Sequence, residues 1–211
     1  MKRITAIVAL MLCMCMVSEA KLVLSSLCSD GMVLQQNDNA AVWGTADPGS
    51  QITVTPSWSG RSYSAKAGKD GRWTVKVATP QGSYKAYTMT VKGNGETIRI
   101  KDILVGEVWL ASGQSNMEMP MRGFYNCPVE DALEYISAPA ATEKIRMFTV
   151  PVKQSYEPLS EVDSRWQGAE SSTIPDMSAT AYFFARKLNE TLDIPVGIVS
   201  CAYGGARVES W

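Results

Sequence analysis

The chain has 211 residues, of which 45% are hydrophobic and 19% charged, with a formal net charge of −1. That length fits one large domain or two small ones around a packed core, and excludes a disordered tail as a description of the whole. The charge balance leaves no electrostatic footprint for nucleic acid or for an anionic membrane surface.

Histidine is absent, which excludes an imidazole base and a histidine-ligated metal site from these residues. Residues 1–20 read as a secretory leader. Lys2 and Arg3 open it, Ile4 to Val17 is apolar apart from Thr5, and Ser18-Glu19-Ala20 offers small residues at a cleavage site. The apolar run is shorter than the roughly 20 residues that span a bilayer, so no membrane span is expected in the mature chain. The expected location is periplasmic or secreted. Cleavage after Ala20 leaves Cys28, Cys127 and Cys201, whose wide spacing fits neither a zinc pattern nor a disulfide framework. Three small buried thiols are expected.

From Lys21 to about Leu110 the chain reads as short strands between turns. Met32-Val33-Leu34 and Ala41-Val42-Trp43 are apolar, and Gln51-Ile52-Thr53-Val54 alternates after the Pro48-Gly49 turn. Asp70-Gly71 is a hairpin signal leading into Trp73–Val77, which alternates cleanly, as does Tyr87–Val91. Gly93-Asn94-Gly95 then turns the chain into Thr97–Ile100. Strands at this spacing without a helix predict a β-sandwich or jelly roll over residues 21–104.

The period then changes. Val105 to Ala111 reads as a strand, Val129 to Ile136 as a short helix and Ile145 to Val150 as a strand. Ser178 to Leu192 is the best helix, with Ala181, Phe184, Ala185, Leu188 and Leu192 on one stripe. Pro195 stops it, and Val196–Val199 reads as a buried strand. Alternating strand and helix predicts a parallel sheet over 105–211, and the poorly periodic stretch from Pro151 to Pro175 reads as a covering loop. A parallel sheet of about three strands has an uncovered face, so this second domain reads as the unfinished start of an α/β domain, apparently truncated. Trp43 and Trp109 lie in apolar strands and read as core.

Two segments can carry chemistry. Gly113-Gln114-Ser115-Asn116-Met117 follows the strand ending at Ala111, where open α/β sheets place their ligands. A tight turn there projects the Ser115 hydroxyl into a crevice, and free N–H groups at the turn can face a developing oxyanion. A capping or turn serine is the other reading, since Met117 stands where a nucleophile elbow has its second glycine. The second segment, Tyr203-Gly204-Gly205-Ala206-Arg207, follows the strand ending near Cys201. Paired glycines let backbone N–H groups approach a substrate, or simply make a turn. Glu118 lies three residues from Ser115, but an ordinary carboxylate is a weak base for a serine. Arg207 reads either as a guide for an anionic sugar or as a solvated surface residue.

These blocks also carry a resemblance. Ser29-Asp30-Gly31-Met32-Val33-Leu34-Gln35, Val42-Trp43-Gly44-Thr45-Ala46, Asp70-Gly71-Arg72-Trp73 and Val105–Pro120 with its Gly-Gln-Ser-Asn-Met-Glu-Met run lie along the chain. They are followed by Ala181–Leu188, Pro195-Val196-Gly197 and the Gly-Gly block. The sequence resembles the amino-terminal part of secreted bacterial sialate O-acetylesterases, carbohydrate esterases of the SGNH hydrolase superfamily. The resemblance implies an all-β sandwich followed by the start of an α/β, flavodoxin-like SGNH hydrolase domain. It implies a serine esterase that removes O-acetyl groups from sialic acid or related glycans without a cofactor. Ser115 would be the nucleophile, and the N–H groups of Ser115 and of Gly205 or Gly204 would form the oxyanion hole. Ala206 stands where the family usually has threonine or serine.

Two family blocks, a Gln-Gly-Glu type segment and an Asp-x-x-His segment, are expected downstream of Trp211 in a missing carboxyl-terminal half. The competing reading is a truncated, catalytically inactive product whose β-domain is a scaffold or binds glycan. An esterase assembled with a separately encoded second half is a third.

Overall fold

The computed structural model describes residues 21–139 and 144–210. The expected leader, residues 1–20, lies outside them. The chain first lays down β1 (Val23–Leu24), β2 (Val33–Gln35), β3 (Asn39–Thr45), β4 (Gln51–Pro56), β5 (Tyr63–Lys66), β6 (Arg72–Ala78) and β7 (Ser83–Gly93). Alternation explains these strands: in β6, Trp73, Val75 and Val77 point inward while Arg72, Thr74 and Lys76 face water. A three-stranded sheet, β1-β3-β6, faces β4, β5 and β7 of a larger sheet. Val42, Trp73, Val75 and Val77 from the first meet Ile52, Val54, Met89 and Val91 from the second in one core.

The Asp70-Gly71 turn does not close a hairpin. β5 pairs with β4, whereas β6 pairs with β3, so the turn carries the chain from one sheet to the other. Asn94 and Gly95, both at positive φ, do make a two-residue hairpin, closed by Gly93 opposite Glu96.

The strand that follows decides the architecture. β8 runs unbroken from Glu96 to Gly113. It joins two stretches that the sequence pattern separates, and residues 104 and 105 lie side by side within it. Its first part pairs antiparallel with β7, and its last part pairs in parallel with β11 (Val196–Ala202). Asp102, at φ 55°, sits where the β7–β8 register shifts, an extra residue that bends the strand.

Beyond β8 come two short helices, α1 (Ser115–Glu118) and α2 (Ala132–Ser137), then β9 (Ile145–Thr149), β10 (Trp166–Gly168) and the long helix α3 (Ala179–Leu192). β9, β11 and β8 lie in parallel, and β10 adds an antiparallel edge beside β9. β10 falls within the stretch expected to be loop. Its Trp166 packs on Phe148 and donates its indole N–H to the Leu27 carbonyl at 2.9 Å.

Most of the parallel sheet is covered on both faces, but Leu110 of β8 is 70% exposed, so the expected bare face is confined to the carboxyl end of that strand. Ala181, Tyr182 and Ala185 of α3 cover Ile145, Met147, Val196 and Ile198. On the other side Phe148, Val108 and Val199 join the core that contains Met32, Val33 and Leu34. The sequence reading counted the strands but not the cover supplied by the preceding β-rich segment.

Polar stitches reinforce the junction. Arg146, only 13% exposed, donates to the carbonyl of Gly31 and to the carboxylate of Asp102. Glu107 accepts from the side chains of Gln35 and Gln36. Within α3 the buried stripe is rotated from the expected one. Tyr182 is fully buried, while Phe184 and Leu192 are exposed. Phe184 meets the edge of Trp109, which is 44% exposed and so not the core residue expected; Trp43 is half-buried against the core.

Of the three thiols among the described residues only Cys28 is buried; Cys201 is half-buried and Cys127 exposed, and none of the three is bridged. The expectation of three buried thiols fails at Cys127 because it lies in the surface turn after α1, closed by the Phe124–Cys127 backbone pair. Burial pushes the Cys28 thiol up to about 12. Alkylation in mildly alkaline buffer is therefore expected to label Cys127 and spare Cys28 until denaturant is added. Equal labelling of both in the native protein would show that the first core is open. Because the folded value is raised, the stability associated with Cys28 is intact below the unfolded value of 9.0 and is lost as pH rises towards about 12.

Among the described residues no helix is long and apolar enough to cross a membrane, and no cluster of ligating side chains would hold a metal ion.

Candidate active site

The two singled-out segments leave neighbouring strands at the same end. β8 and β11 are paired in register, with Ser112 opposite Cys201 and Gly113 opposite Ala202. The segments that follow, Gln114–Glu118 and Tyr203–Ala206, are therefore brought side by side at the carboxyl edge of a parallel sheet. This is where strand dipoles and free loop amides meet a ligand.

Three hydrogen bonds join the loops. The Tyr203 N–H donates to the Gly113 carbonyl at 3.0 Å, and the Gln114 amide donates to the Ala206 carbonyl at 2.5 Å. The third runs from the Gly204 N–H to Glu118 Oε2 at 2.7 Å. A Cβ at position 204 would stand 3.5 Å from the Ser115 hydroxyl oxygen and 2.5 Å from that carboxylate oxygen. The serine oxygen is at ordinary contact distance, so a side chain at 204 would chiefly displace the Glu118 carboxylate.

Ser115 is exposed as the first residue of α1. Packing holds the turn beneath it: Met117 packs against the core between α3 and the parallel strands, Thr180 donates to the Asn116 carbonyl, and the Ala179 N–H donates to the Met119 carbonyl at 2.8 Å. Neither the hydroxyl nor the N–H of Ser115 has a hydrogen-bond partner among the described residues.

The two glycines differ. The N–H of Gly204 is committed to Glu118 and is not free to receive an oxyanion. Gly205, at φ +75°, has an N–H without a partner among the described residues and nothing within 4 Å of a Cβ position. Glu118 accepts a hydrogen bond here, a role the sequence reading did not weigh for it. The signal available was its spacing, three residues after Ser115 on the same short helix. Arg207 is exposed.

Two concavities flank these loops. One of about 140 Å³ lies beside Glu118, lined also by Thr149, Asp176, Ser178 and Ser200. A larger one, of about 710 Å³, is walled by residues 150–159 with Cys201, Ala202, Tyr203 and Glu209. The stretch after β9 thus walls a space at the end of β11, although Ser115 is not among its lining residues.

Residues 105–211 match a family model described as carbohydrate esterase, sialic acid-specific acetylesterase. The chain is 34% identical over 196 residues to a sialate O-acetylesterase of Mus musculus, covering 85% of this chain and 35% of that protein. It is 32% identical over 204 residues to that of Homo sapiens, covering 89% of this chain and 38% of that one. The crystal structure of a carbohydrate acetylesterase from Xanthomonas citri superposes with a TM-score of 0.80 at 32% identity, over 90% of this chain and 42% of that one. The chain therefore spans little more than a third of the curated relatives it matches.

Proposed function

Since the chain belongs to the sialic acid-specific acetylesterase family of carbohydrate esterases, we propose that the complete protein hydrolyses O-acetyl esters on sialic acid or related glycans. The observation that carries this reading is the in-register pairing of β8 and β11, which sets the Ser115 hydroxyl beside the Gly204-Gly205 turn. In the proposed mechanism Ser115 Oγ attacks the acetyl carbonyl carbon as its proton passes to a base. The N–H groups of Ser115 and Gly205 receive the charge that develops on the carbonyl oxygen. The carbon–oxygen bond to the sugar breaks, the sugar oxygen takes a proton, and water then releases acetate from the acetyl-serine by the same sequence.

No step calls on a cofactor. The base is assigned to the length that the relatives have beyond the matched region, because these 211 residues contain no histidine. A leader over residues 1–20 and a periplasmic or secreted location belong to the same proposal. So do a β-sandwich over 21–104 and an SGNH hydrolase domain, completed downstream, from 105 onward. The first segment acts as scaffold in this reading, because its core is continuous with one face of the parallel strands.

Acetate release by the full-length protein from O-acetylated sialic acid and from acetylated xylan tests the substrate class. Release from the sialic acid at a rate well above that from xylan is expected. Release from xylan alone would overturn the choice of sugar, and release from neither would overturn the reading.

A further inference from the structure

We infer that Glu118 is a positioning residue, whose carboxylate clamps the glycine turn so that Gly205 presents its N–H beside Ser115. This inference rests on the esterase reading above and adds a residue to it. Ser115 and Glu118 are the first and last residues of α1, so one short turn of backbone carries both. Its two side chains reach the same glycine: Glu118 Oε2 accepts the Gly204 N–H at 2.7 Å, and Gly204 approaches the Ser115 hydroxyl closely.

A charge-assisted bond of that length is among the stronger fixings a loop can have. It removes Gly204 from the set of oxyanion donors and fixes the peptide that leads directly into Gly205. Gly205 occupies a left-handed conformation with no bond of its own to hold it. Without the clamp, the hydrogen bonds that hold the turn to the serine loop among the described residues are those of Tyr203 and Ala206 on either side. An oxyanion donor is effective only when its direction is set before the charge develops.

The test uses the full-length protein, with acetate release, thermal denaturation and three substitutions. Glu118→Ala is expected to lower kcat by roughly 10- to 100-fold with KM changed by less than about threefold. Glu118→Gln keeps an oxygen acceptor at the same reach and is expected to recover kcat to within about fivefold of the parent. Glutamine as damaging as alanine would overturn the clamp, because a carboxylate acting as a base would give that pattern. Gly204→Ala places a methyl against the carboxylate, so its loss of kcat is expected to shrink in the Glu118→Ala background. Strict additivity would also overturn the inference.

Ser115→Ala is the control that separates the two readings. If it retains the parent rate, the esterase site is misassigned and the clamp falls with it. If it is inactive while Glu118→Ala keeps the parent kcat, only the clamp falls. Should Glu118→Ala fail to fold, Glu118→Asp decides in its place. Its carboxylate is one methylene short of Gly204 and is expected to give the same loss in kcat, and parent activity in that variant would overturn the clamp.

Discussion

Replacing Ser115 with alanine in the full-length protein is expected to lower acetate release by a factor of roughly 10⁴–10⁶. Stability is expected to move by less than about 0.5 kcal/mol. The two expectations come from the same observation. Ser115 is exposed and its hydroxyl has no partner among the described residues, so its loss opens no cavity and leaves no buried group unsatisfied. The oxygen is nonetheless the atom that would form the bond to the acetyl carbon, and it lies 3.5 Å from a Cβ position at Gly204. Acetate assay and thermal denaturation of the same preparation check both halves. A variant within about tenfold of the parent rate would remove Ser115 from the reaction, since even residual catalysis from the remaining groups falls far below that. The 211 residues expressed alone provide a related check. Without an imidazole the serine stays a neutral hydroxyl, and turnover is expected to be lower by a comparable factor.

What was legible in the sequence was whatever depends on a local period. β6 alternates because one face is core and the other water, and the pattern of Arg72 to Ala78 shows it without any partner being known. The same holds for β4 and for the existence of α3. What failed were readings that depend on which element lies opposite. Asp70-Gly71 has hairpin composition, but strand pairing is a long-range choice, and β6 finds β3 and not β5. β10 is only three residues long, too short for a period, and is held by the Trp166 contacts with Phe148 and Leu27. Tyr182 is not among the residues of the expected helix stripe. It is buried because α3 packs on β9 and β11 along a line one residue away from the one its composition favours.

The site divides in the same manner. The ends of β8 and β11 were readable as strand-to-loop transitions, so Ser115 and the two glycines could be singled out. Their meeting depends on a seven-residue parallel register that no local pattern encodes. The difference between Gly204 and Gly205 was likewise out of reach, because both are glycines in one turn. It becomes visible only when the carboxylate of Glu118 is seen to take one of the two N–H groups.

Gly106→Ala is expected to destabilise the protein by about 3 kcal/mol or more, lowering Tm by roughly 6–12 °C. Gly106 lies in β8 where three strands converge: β2 ends beside it, with Gln35 opposite, and β11 begins at the next residue, with Val196 opposite Glu107. A Cβ at 106 would stand 1.9 Å from the Pro195 carbonyl oxygen and 2.8 Å from its carbon. Both obstacles are backbone, and that oxygen already accepts the Glu107 N–H at 3.0 Å, so neither strand can withdraw without losing the bond that starts their pairing. Gly168→Ala is the matched control, because its Cβ would meet nothing closer than the Glu170 carboxylate at 3.6 Å. A Tm for Gly106→Ala within about 2 °C of that control would show that β8 and β11 have room to part. The variant also separates two ways of losing the same activity. In the proposed mechanism Ser115→Ala removes the reacting atom from an intact fold, whereas Gly106→Ala leaves every candidate site residue in place and loosens the register that brings Ser115 to Gly204.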